Sequence, residues 1–159
     1  MLCVDMDGVI ADFIGGICKV HGVENPYRDP KNAGVWDIWT LLGMSIEEFW
    51  KPCEYEFWRD LEPTRDFSSY SMGALIITSP SQNHGCVEGK IAWLKKYMPC
   101  LKRDQIIFTA GKHHLARPGW QLIDDNDNNV NAWRGAGGDA ILIPRPWNSL
   151  HHMCDLGKL

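Results

Sequence analysis

The chain has 159 residues, 45% hydrophobic and 23% charged, which fits one globular domain with at most an inserted piece and excludes wholesale disorder. Sixteen basic against twenty acidic side chains give a net charge of −4, an unlikeness to nucleic-acid polymer binders, which need a basic surface. No apolar run approaches the roughly 20 residues of a membrane span, Asp5 and Asp7 spoil any leader, and no C-x-x-C pair occurs among the six cysteines; free thiols in a reducing, cytoplasmic compartment are expected, not disulfides or zinc.

The first apolar run, Leu2-Cys3-Val4, is short and β-rich. It leads into Asp5-Met6-Asp7-Gly8. In an open parallel sheet ligands bind beyond the carboxyl ends of the strands, so Asp5 belongs at that end and Asp7 just past it. Gly8 permits a sharp turn. Two acids this close repel unless a positive charge lies between them, and magnesium suits hard carboxylate oxygens.

From Gly15 to Asp66 no strand pattern is found, and Pro26, Pro30 and Gly34 break the first part. Ser45, with Glu48 three residues on, forms a capping-box pattern before Phe49 and Trp50. This stretch holds eight of the seventeen aromatic residues and reads as an inserted helical cap, residues 15–66, over a core made of residues 1–14 and 67–159. Trp36, Trp39, Trp50, Phe57 and Trp58 are candidates for stacking a nucleobase, against the plainer role of filling a small cap.

Further apolar runs follow at Ala74 to Ile77, Ile106 to Phe108, Gln121 to Ile123 and Ala140 to Ile143. Without polar alternation they fit parallel strands buried on both faces. Helical patterns lie between them at Val87 to Tyr97 and Asn128 to Trp133. The expected fold is a doubly wound, Rossmann-like α/β domain with the cap inserted after the first strand. The glycine-rich run Arg134 to Gly138 follows a helix and precedes a strand, so it reads as a helix end and turn, not a phosphate cradle. His113-His114 and His151-His152, placed on strands, point to opposite faces and read as solvated surface.

Three polar groups share the expected sheet edge with Asp5 and Asp7. Thr78-Ser79-Pro80 ends one strand, Asp124-Asp125 ends another, and Lys90 lies in the intervening helix. Singly, each has a plain reading as a turn, a solvated loop or a surface lysine. Jointly they suit phosphoryl transfer: a carboxylate to attack phosphorus, a metal to screen charge, and hydroxyl and ammonium donors for the phosphate oxygens.

With those residues in that order, the chain resembles the haloacid dehalogenase-like phosphatases, and within them the 5′(3′)-deoxyribonucleotidases, over about residues 1–148. Phe57 to Pro63 and Gly137 to Asn148 share the likeness. The resemblance implies Asp5 as nucleophile and Asp7 as acid and base, its carbonyl on Mg2+. It implies Asp125 in the metal shell with Asp124 beside it, and Thr78, Ser79 and Lys90 on the phosphate. Phe13, Phe57, Trp58 and Lys112 would contact substrate. The implied partner is a small nucleotide, with no membrane and room for a homodimer. The chain departs from the pattern at Ala110, where relatives carry an arginine, and between Pro63 and Ala74, where they carry a full helix.

The leading expectation is thus a magnesium-dependent phosphomonoesterase for nucleoside monophosphates. A phosphatase for another small phosphoester or for a polynucleotide 3′ end is the alternative, disfavoured for the polymer by charge and cap. A receiver-like module carries its acceptor on a middle strand with no such insertion, and intact Asp5, Asp7, Lys90 and Asp125 oppose a degenerate binding module.

Overall fold

The computed structural model describes residues 1–70 and 73–154. Five strands form one parallel sheet: β1 (Leu2–Val4), β2 (Leu75–Thr78), β3 (Ile106–Phe108), β4 (Gln121–Asp124) and β5 (Asp139–Leu142), in the order β3-β2-β1-β4-β5. β1 is central. Val4 lies opposite Ile76 of β2 on one side and Ile123 of β4 on the other. The chain winds outward from β1 through β2 and β3, then crosses to β4 on β1's other side. That reversal opens a crevice at the carboxyl ends of β1 and β4, where such sheets bind ligands.

β1, β2 and β4 are largely buried, as their uninterrupted apolar runs require. The expectation of two buried faces fails at the margins. β3 is only half-buried, and in β5 Asp139 and Ile141 face solvent, Ile141 at 45% exposure. Both strands are sheet edges, each with a neighbour on one side only.

Helices α1 (Phe13–His21), α2 (Ile38–Leu41), α3 (Ile46–Trp50), α4 (Tyr55–Arg59), α5 (Phe67–Tyr70), α6 (Cys86–Tyr97) and α7 (Asp127–Gly135) complete the fold, with short 3-10 turns between them. Segment 15–66 contributes no strand to the sheet among the described residues. α1 runs across the expected junction at residues 14 and 15. The outgoing and returning connections lie side by side: Asp12 N–H donates to Glu62 O at 2.8 Å, and Thr64 N–H to Ile10 O at 2.9 Å. α3 begins with the capping box read from the sequence, Ser45 and Glu48 each accepting from the other's backbone N–H. Among the described residues between Pro63 and Ala74, the one helix is the single turn of α5.

One face of the sheet packs Val4, Ile76 and Ile123 in a core with Trp93 of α6, Ile10, Ile17 and Trp58. The other packs Cys3, Ile77 and Leu122 against Trp133 of α7. The six cysteines are free thiols. The two histidine pairs sit on 3-10 turns, Lys112–Leu115 and His151–Met153, not on strands; His113 and His114 are exposed there.

Candidate active site

Asp5 follows β1 directly, and its N–H donates to Ile123 O at 2.9 Å, which fixes it across the β1–β4 crevice. The next residues coil tightly. Met6 O accepts from the N–H groups of Ile10 and Ala11, each at 2.9 Å. Gly8 has φ +73°, and a Cβ there would lie 2.0 Å from Asp125 Oδ2. Only glycine lets this turn pass so close to the end of β4. Arg145 holds the same turn from outside. Its Nε donates to Gly8 O at 2.6 Å while Nη2 pairs with Asp66 at 2.9 Å.

Asp124 and Asp125 end β4 and are buried. Asp124 accepts from Asn126 N–H at 2.9 Å and from the Asn129 amide at 3.1 and 3.2 Å. Asp125 Oδ2 accepts from the Trp147 indole N–H at 2.7 Å, and its backbone carbonyl from the Asn148 amide at 2.9 Å. Lys112 enters from the 3-10 turn after β3. Its buried ammonium lies 2.7 Å from both Asp5 Oδ1 and Asp124 Oδ2.

Lys90 of α6 approaches from the β2 side. Its Nζ donates to Thr78 Oγ1 at 2.9 Å and to Ser79 O at 2.7 Å, and pairs with Asp7 Oδ2. The second oxygen of Asp7, Oδ1, is buried with no hydrogen-bond partner.

Asp5, Asp124 and Asp125 bring one oxygen each within 4.8 Å of one another. Burial pushes the Asp5 carboxyl up to about 7, with the charges of Asp124 and Asp7 adding to it and Lys112 opposing. Burial, then Asp124 and Asp5, raises Asp125 well above the carboxylate range, against the pull of Trp147 and Lys112. Burial works against the charge of Lys112, but Asp5 and Asp124 outweigh it and its pKa rises. Four carboxylates thus face two ammonium groups. The excess negative charge, borne by hard oxygens, fits a divalent cation.

These groups form the floor of a cavity of about 900 Å³. Phe13, Trp50 and Trp58 make one wall, with Trp36, Trp39 and Ile46 further out; Trp36 is 43% and Ile46 57% exposed. Of the residues singled out from sequence, Asp5, Asp7, Asp125, Lys112, Ser79, Phe13 and Trp58 line this cavity. Thr78, Lys90 and Asp124 are fully buried directly behind it. Phe57 packs edge-on beneath Phe13 and Trp58, with ring centroids 5.8 and 5.0 Å away, and is not part of the lining. Sequence reasoning missed the supporting groups Asn126, Asn129, Trp147, Asn148 and Arg145. Arg145, Trp147 and Asn148 lie in the stretch Gly137 to Asn148 that shares the family likeness, but no role was read for them.

The parallel sheet gathers acids and lysines at the carboxyl ends of β1, β2 and β4, the arrangement that the resemblance to the haloacid dehalogenase-like hydrolases implies. In comparison with known proteins, the family model described as 5′ nucleotidase, deoxy (Pyrimidine), cytosolic type C protein matches residues 1–157, and the chain belongs to this family. It is a phosphoric monoester hydrolase, which sets aside the receiver-like and binding-only readings. No curated protein matches the chain. Among solved structures it is similar to a hydrolase from Streptococcus pneumoniae TIGR4, at 13% identity and a TM-score of 0.52, over 99% of this chain and 97% of that one. A haloacid dehalogenase-like family protein from Streptococcus pneumoniae follows at 11% identity and a TM-score of 0.49, over 98% and 89%. No helix among the described residues is long and apolar enough to cross a membrane.

Proposed function

We propose that this protein is a magnesium-dependent nucleotidase that hydrolyses nucleoside monophosphates, deoxyribonucleotides foremost, through an aspartyl-phosphate on Asp5. The observation that carries the reading is the position of Asp5: at the end of the central strand, beside Lys112, on the floor of a cavity walled by aromatic rings.

Asp5 attacks phosphorus, and the bond to the ester oxygen breaks. Asp7 gives that oxygen its proton, then takes one from the water that attacks the phospho-Asp5 and releases phosphate. Asp7 Oδ1, which has no partner, is the oxygen for proton transfer, while Oδ2 pairs with Lys90 until phosphate takes that donor. Lys90 and Ser79, with Thr78 fixing the ammonium, hold the phosphate. Lys112 keeps the Asp5 carboxylate aimed and offsets its charge. Asp5, Asp125 and the Asp7 carbonyl would hold magnesium. Asp124, its oxygens already engaged by Lys112, Asn126 and Asn129, stands beside it. Magnesium, when bound, neutralises part of the charge that phosphate brings to an already anionic floor.

Segment 15–66, acting as the cap, roofs the site with Phe13 and its tryptophans and leaves a small nucleotide a better fit than a polymer. All these groups come from one chain, so a homodimer is not required for chemistry. Buried free thiols at Cys3, Cys18, Cys53 and Cys86 suit a reducing, cytoplasmic setting. Phosphate release measured over 5′- and 3′-nucleotides, ribose and deoxyribose forms, and sugar phosphates tests the reading. Turnover of deoxynucleoside monophosphates with magnesium, abolished by chelator, is the expected result. Preference for sugar phosphates, or full activity in chelator, overturns it.

A further inference from the structure

Trp58 borders the cavity but keeps almost no surface free for a base. It is 1% exposed, its indole N–H donates to Cys53 O at 2.9 Å, and Phe13 stacks on it at 5.7 Å with the rings 19° from parallel. Phe57 meets it edge-on. What does reach its ring is a cation. Lys90 Nζ lies over it, 4.6 Å from the centroid.

A local sequence feature builds this contact. Gly89 precedes Lys90 where α6 crosses α4, and a Cβ there would lie 2.5 Å from Tyr55 O and 2.7 Å from Trp58 Cβ. Glycine lets the two helices touch, and that contact brings the indole to the buried lysine. An ammonium has three donors. In Lys90 they meet Thr78 Oγ1, Ser79 O and Asp7 Oδ2. A phosphate oxygen gains a Lys90 donor only by displacing Asp7. During that exchange the ammonium must stay where it is.

We infer that Trp58 is a positioning residue for Lys90: the electron-rich face of its indole holds the ammonium at the phosphate position while Asp7 is exchanged for substrate. The inference rests on the phosphate-binding role proposed above for Lys90. It moves Trp58 from substrate selection to the grip on phosphate, through which the inserted segment takes part in turnover of every substrate.

Truncating Trp58 empties a core site, so the test keeps the shape. Tryptophan carrying one to four ring fluorines, placed at position 58 alone, weakens the ring's attraction for cations stepwise at nearly constant volume. The expected result is a stepwise fall in kcat/KM, about tenfold or more across the series, equal for a nucleotide and for an aryl phosphate with no base, at constant melting temperature. A fall on the nucleotide alone makes Trp58 a base contact and overturns the inference. So does a melting temperature that falls in step with activity. Lys90→Met separates the two levels. Wild-type kinetics in Lys90→Met overturn the role of Lys90 itself. A flat fluorine series beside a crippled Lys90→Met overturns the Trp58 inference alone.

Discussion

The floor and the roof of the cavity are built by different means. On the floor, Asp5, Thr78 and Asp124 are fixed by the ends of buried parallel strands, and ion pairs or hydrogen bonds then lock their side chains. The roof comes from α2, α3 and α4, of four or five residues each, too short to be stable alone. Aromatic packing holds it: Phe49 touches Trp39, Trp50 and Phe13, and Trp58 touches Trp50 and Phe13. The sheet places the carboxylates and ammonium groups to within a hydrogen-bond length of one another, whereas the roof offers broad apolar surfaces that tolerate variation. Changes on the floor should therefore act on every substrate, and changes in the outer roof on nucleotides alone.

The largest effect that sharpens this contrast is at Asp7. Asp7→Asn keeps its backbone carbonyl but loses proton transfer, and kcat should fall about 10²–10⁴-fold on nucleotide and aryl phosphate alike, with magnesium affinity little changed. Comparable losses in magnesium affinity would make the carboxylate itself a ligand. Next is Trp147, which fixes Asp125 from outside the ligand set. Trp147→Phe removes the indole N–H, and magnesium affinity measured by calorimetry should weaken about 10–100-fold. Unchanged affinity would leave the bond to Asp125 without a role in metal binding.

A third effect follows from the charge packed into the floor. The Asp5 carboxyl, near 3.9 in an unfolded chain, is raised to about 7 by burial, so the folded protein holds that proton more tightly. Its contribution to stability is full below about pH 4 and is lost as pH rises through about 7. In chelator, the wild type should therefore lose melting temperature relative to Asp5→Asn over that range, and magnesium should restore more at pH 8 than at pH 5. Parallel curves for the two proteins would contradict the burial argument. The smallest effect is at the outer roof. Trp39→Ala should raise KM for a nucleotide by about fivefold or more and leave the aryl phosphate unchanged. Equal losses on both substrates would erase the division between floor and roof.

The floor was legible because its signals are local. An apolar run ending in Asp-x-Asp-Gly marks a strand end, and Asp124-Asp125 repeats the pattern. The capping box at Ser45 marked α3 for the same reason. The expected burial of β5 failed because strand order is a long-range property, and short apolar runs look alike at the centre and the edge of a sheet. Trp147 and Asn148 went unassigned because they act on Asp125, 22 and 23 residues away in sequence. At Trp58 the residue type was visible but not its partner. Its contact with Lys90 depends on how closely α4 and α6 cross at Gly89, which no pattern in either helix announces.

The central claim is that Asp5 carries the phosphoryl group. Turnover of a deoxynucleoside monophosphate with magnesium, quenched in acid and analysed by peptide mass spectrometry, tests it directly. The peptide containing Asp5 should gain one phosphoryl group in the wild type, and Asp5→Asn, folded and at an undiminished melting temperature, should show neither the modification nor turnover. Phosphate on a different residue, or substantial hydrolysis by folded Asp5→Asn, would contradict the account.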